Sequence, residues 1–78
     1  MGGTVTSDQV AAYLGLVEAQ ARRFKGPSPF VEFDDLVQEG LIVVFLALRR
    51  GIYPGVEPIR NAMRKWARRI DRQRRGVI

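Results

Sequence analysis

Cysteine and histidine are both absent from the 78-residue chain. Without thiols there is no disulfide staple and no thiolate metal site, and without imidazole a zinc site or a histidine base is excluded. Long apolar runs are also missing. The longest, 41–48, has eight residues, against the roughly 20 that span a bilayer. The start, Met1-Gly2-Gly3-Thr4-Val5-Thr6, lacks the basic-then-apolar order of a secretory signal. A cytoplasmic protein with no membrane partner is the simplest reading. A domain of this length buries only about 60% of its unfolded surface, so it is marginally stable or leans on a partner.

What is present is charge, unevenly spread. The net charge is +5. Positions 57–76 hold eight basic residues against Glu57 and Asp71, whereas the rest of the chain holds five basic and six acidic residues. One basic end and one mildly acidic remainder imply two partner surfaces, the basic one suited to polyanions.

The periodicity predicts an all-α domain over 7–76, a small bundle of three helices with room for a fourth, behind a loose tail at 1–6. Thr6-Ser7-Asp8-Gln9 has the form of a capping box. The first helix is expected over 7–25, with Val10, Tyr13, Leu14, Val17, Ala21 and Phe24 as its apolar stripe. Gly26-Pro27-Ser28-Pro29 ends it, and Phe30-Val31-Glu32 is a lead-in able to pack as a staple. The second helix is expected over 33–50, with Phe33, Leu36, Val37, Gly40, Val44 and Leu48 facing the core. A glycine inside a helix costs about 1 kcal/mol relative to alanine, and close packing on the first helix is a reason to accept that at Gly40. Val43 and Leu46 fall on the opposite side. They read either as ordinary exposed apolar residues or as a protein-binding patch. Gly51 stops this helix, and 52–55 read as a turn. The third helix is expected over 57–75, with Pro58 in its first turn and Ile59, Ala62, Met63, Trp66, Ala67 and Ile70 as its stripe.

Two constellations carry chemistry. On the third helix Arg60, Arg64 and Arg68 line one flank and Lys65, Arg69 and Arg72 the next, with Arg74 and Arg75 completing the run. Cations repeated along one side of a helix can meet successive phosphates. Trp66 reads as a core residue or, at the rim, as a platform for an unpaired base. On the second helix Asp35, Gln38 and Glu39 share a face at i, i+3 and i+4. Asp34, Asp35 and Glu39 do not make an enzyme. The chain offers no nucleophile–base pair and no glycine-rich phosphate loop, and no cofactor is expected. These acids read as N-terminal helix charges and a protein-binding face.

The run Phe33-Asp34-Asp35-Leu36-Val37-Gln38-Glu39-Gly40, with Ile42 and Ala47 behind it, resembles region 2 of bacterial sigma factors of the sigma-70 family. Leu16 to Phe24 resembles the helix before it, and Ile59 to Arg75 resembles the promoter-facing helix after it, so the resemblance covers about residues 10–75. It implies a polymerase-binding set of Asp35, Gln38, Glu39, Leu41, Ile42 and Phe45, docking on the β′ clamp helices of core RNA polymerase. It also implies that Arg60, Arg64, Lys65, Trp66, Arg68, Arg69 and Arg72 approach promoter DNA at the −10 element, beside the nucleoid. Leu41 stands where the family carries asparagine, and Ile59 and Lys65 stand where it carries aromatics. A chain of this length has no room for the second, helix-turn-helix domain. A lone region 2-like unit is therefore the expectation, as in a split sigma factor or a phage or mobile-element regulator, with a separate region 4-like subunit as a companion. A polymerase-binding inhibitor, and a small basic DNA-binding or structural protein with no polymerase partner, are the alternatives.

Overall fold

The computed structural model describes residues 4–26 and 31–76, with side chains to Gln73. Among these residues the fold is all-helical, in the order α1 (Ser7–Ala11), α2 (Leu14–Lys25), α3 (Phe33–Arg49) and α4 (Val56–Gly76). The capping box forms as the sequence requires. The Thr6 hydroxyl accepts from the Gln9 N–H at 3.2 Å, and the Gln9 side chain accepts from the Thr6 N–H at 2.9 Å.

The expected single helix over 7–25 is in fact two. Ala12 ends α1, and Tyr13, at φ −100° and ψ −1°, begins α2. The Tyr13 N–H bonds back to the Val10 carbonyl at 3.0 Å, a tight i→i−3 closure that bends the path. At the bend the Tyr13 ring lies edge-on to Tyr53, with centroids 6.1 Å apart. The bend also rotates the stripe, so Leu14 is left exposed and Leu16 packs on the core instead.

Val17 and Ala21 of α2, Val31 before α3, Leu36 and Val44 of α3, and Ile59 and Met63 of α4 make the buried core. Phe33, Val37 and Leu48 flank it as the period predicts. Val43, expected on the far side of α3, is half-buried against the same cluster, because a stripe this rich in apolar residues is wider than one row. Gly40 is where three helices meet. A Cβ placed on it would lie 2.7 Å from the Met63 Cε and 2.7 Å from the Val17 Cγ1. The glycine is therefore a packing requirement. Phe30 and the Pro27-Ser28-Pro29 stop lie outside the described residues, but Val31 of the lead-in is buried. Gly26 caps α2 at φ +53°.

Two arginines tie α2 to its neighbours through aromatic faces. Arg22 lies over the Phe33 ring at 5.8 Å, and Arg64 over the Phe24 ring at 5.6 Å. No helix among the described residues is long and apolar enough to cross a membrane.

Candidate protein- and nucleic-acid-binding surfaces

The first candidate surface lies along α3. Its first turn carries Asp34 and Asp35, which suit the positive end of the helix dipole. Each residue advances about 100° round the axis, so Asp35, Gln38, Glu39, Ile42, Phe45, Leu46 and Arg49 form one continuous strip on the side away from the core. Gln38 is exposed, and Asp35 and Glu39 are half-buried. Behind them Ile42 is 46% exposed, Phe45 41% and Leu46 43%. Three large apolar side chains in water along two turns is more than a helix needs for its own bundle. The strip thus runs from carboxylates and an amide into an apolar patch. Leu41 falls beside this strip, half-buried and packed on the core. The structure therefore brings Asp35, Gln38, Glu39, Ile42 and Phe45 together, with Leu41 at the edge of the strip where it meets the core. Among the described residues no three carboxylates are grouped closely enough to hold a metal ion.

The second surface is α4, and here the basic residues divide by what they touch. Arg60 is half-buried. Its Nε donates to the Gln20 Oε1 on α2 at 2.8 Å, and its Nη1 donates to the Glu57 carboxylate at 3.4 Å. Arg64 leans over Phe24 and donates to the Asn61 side-chain oxygen at 3.0 Å. These two hold α2 against α4. Lys65, Arg68, Arg69 and Arg72 are exposed, and none makes an ion pair or side-chain hydrogen bond among the described residues. The side chains of Arg74 and Arg75 lie outside the described residues.

Trp66 is half-buried and packs against the core. Its indole N–H is buried without a hydrogen-bond partner. Beside it a groove of about 230 Å³ is lined by Glu39, Ala62, Lys65, Trp66 and Arg69. This groove is where the acidic strip of α3 meets the basic flank of α4. No ion pair closes it among the described residues.

The sequence reading missed two participants. Gln20 is the buried polar side chain among the described residues. It sits at i+3 from Val17 on an otherwise apolar stripe, a signal that a polar partner must reach it. Tyr53, in the α3–α4 connection, carried no local signal.

No protein-family model matches the chain, and no curated protein or solved structure is similar to it at a significant level. What the surfaces do is argued from their residues.

Proposed function

We propose that this chain is a sigma-like transcription initiation or regulatory factor. It docks through α3 on the β′ clamp helices of bacterial core RNA polymerase and brings α4 to the −10 region of promoter DNA. One observation carries the reading. The face of α3 formed by Asp35, Gln38, Glu39, Ile42 and Phe45 is a carboxylate–amide cluster continuous with exposed apolar side chains. That face suits a basic, amphipathic helical rod: carboxylates steer and orient, and the apolar residues supply the area removed from water. The cations available for phosphates are Lys65, Arg68, Arg69 and Arg72 on the adjoining helix, so one partner would be held by α3 while DNA runs along α4. The run from Phe33 to Gly40, which holds Asp35, Gln38 and Glu39, resembles sigma region 2, which supports the assignment. A separate region 4-like companion fits the scheme.

The placement of Trp66 favours a second form of the same reading. With its ring packed on the core, Trp66 is poorly offered to an unpaired base. A factor that holds polymerase without trapping melted DNA would act as an inhibitor. In vitro transcription with purified core enzyme separates the two forms. Promoter-dependent transcripts that appear only with the chain identify an initiation factor. Loss of transcripts made by a complete sigma factor identifies an inhibitor. No effect in either assay, with DNA binding intact, rejects both and leaves a DNA-binding protein without a polymerase partner.

A further inference from the structure

The far end of α3 builds another surface. Gly51 takes a left-handed conformation, φ +73°. Its N–H donates to the Leu48 carbonyl at 3.0 Å, and the Ile52 N–H donates to the Ala47 carbonyl at 2.8 Å. This paired closure satisfies the last carbonyls of the helix and folds Ile52 back beside Ala47 and Leu46. Such a contact ordinarily shields its members. Here Ile52 stays 56% exposed and Tyr53 78%. The wall they form is anchored all the same, because Pro54 behind them is fully buried and Tyr53 rests edge-on against Tyr13. Val43, Leu46, Ala47, Ile52, Tyr53 and Pro58 enclose a groove of about 300 Å³. Its charged member is Arg50, which is exposed and whose side chain makes no ion pair or hydrogen bond among the described residues. Glu57, the next acid along the chain, is paired with Arg60.

We propose that this groove docks an acidic, apolar segment of a partner protein. Such a segment would be a short helix that sets a large aliphatic or aromatic side chain between Leu46, Ile52 and Tyr53 and lays a carboxylate over Arg50. Charge and polarity together select this occupant. A second copy docked groove to groove about a two-fold axis would bring Arg50 towards its own equivalent, and like-charge juxtaposition disfavours that. Nucleic acid would satisfy Arg50 but leave Leu46 and Ile52 against a hydrated, charged backbone. An acidic amphipathic helix satisfies both halves of the surface. The groove shares Leu46 with the end of the α3 strip but none of its carboxylates, and the inference stands whether or not polymerase is the partner of the acidic strip.

Nuclear magnetic resonance on the isotope-labelled full chain tests this with three synthetic helical peptides. One carries leucines flanked by glutamates, one the same leucines flanked by lysines, and one the glutamates with serines in place of the leucines. The first should shift the amides of Leu46, Ile52 and Tyr53 saturably, and the other two should not. Arg50→Glu should weaken the first peptide about ten-fold or more and make the lysine peptide the better ligand. Ile52→Asp, a change at an exposed side chain, should abolish binding with an unchanged circular dichroism spectrum. The proposal is overturned if no peptide shifts these amides, or if the glutamate and lysine peptides bind alike. It is overturned equally if the same shifts follow protein concentration alone, which marks a second copy, or a duplex DNA titration.

Discussion

The guanidinium of Arg60 reaches across from α4 to the side-chain oxygen of Gln20 on α2, 40 positions earlier, and closes a 2.8 Å hydrogen bond at the edge of the core. Gln20 is buried, so this bond is the condition on which a polar side chain is tolerated there. It also takes Arg60 out of the pool of cations offered to DNA.

Removing the arginine should therefore act on stability. Arg60→Met leaves the Gln20 oxygen buried and unpaired, at an expected cost of about 1–3 kcal/mol. Gln20→Met should cost less, since the half-buried Arg60 can turn to water. The double variant should be more stable than the sum of the two losses implies, because neither partner is then left alone. Urea denaturation of the four proteins measures the cycle, and strictly additive losses would refute the pairing.

Gly40→Ala should destabilise the domain despite the better helix propensity of alanine. The gain from propensity is about 1 kcal/mol, whereas forcing a methyl into a packed core costs about 1–3 kcal/mol. The Met63 end is flexible and can yield, but Val17 is β-branched and stiff. Val17→Ala added to Gly40→Ala should recover part of the loss. A lower urea midpoint for the single variant and partial recovery in the double would be the signature.

How much of this was legible in the sequence depends on where each cause lies. The Thr6–Gln9 cap, the core faces of α3 and α4 and the close approach at Gly40 all follow from local pattern, and the sequence displays them. The break at Ala12–Tyr13 does not, since nothing in Ala11-Ala12-Tyr13-Leu14 discourages a helix. The bend goes with a contact of Tyr13 on Tyr53, a residue of the connection after α3 that is 40 positions away. The division of the basic residues was hidden for the same reason. Periodicity puts Arg60, Arg64 and Arg68 on one flank, but only the packing of α2 shows that Gln20 and Phe24 engage the first two. Leu41 was assigned by motif position, and its half-burial against the core is likewise a matter of packing that the motif does not show.

Trp66→Phe should leave stability within about 1 kcal/mol of the parent, because it trades lost contact area against removal of an unpartnered buried N–H. Trp66→Ala should cost about 3 kcal/mol through the cavity. If Trp66 serves the core, the phenylalanine variant should also bind duplex DNA as the parent does. A loss of DNA affinity with unchanged stability would return the indole to the binding surface.

DNA affinity should depend steeply on salt through Lys65, Arg68, Arg69 and Arg72. Each phosphate contact contributes a slope of about −0.9 in log K against log salt. Replacing these four by alanine should flatten the slope by up to four such contacts with little change in the urea midpoint. Arg60→Met should do the reverse. Fluorescence anisotropy with a labelled duplex over a salt series reads both, and an unchanged slope in the fourfold variant would exclude α4 as the phosphate-binding face.

The most direct test of the central claim is the affinity of the chain for purified core RNA polymerase, and for an isolated β′ clamp-helix fragment, measured by biolayer interferometry. The account predicts saturable binding to both. Asp35→Ala with Glu39→Ala should weaken it about ten-fold or more, and Lys65→Ala with Arg72→Ala should leave it unchanged. Equal affinity of the acidic-strip variant and the parent, with both proteins folded, would contradict it.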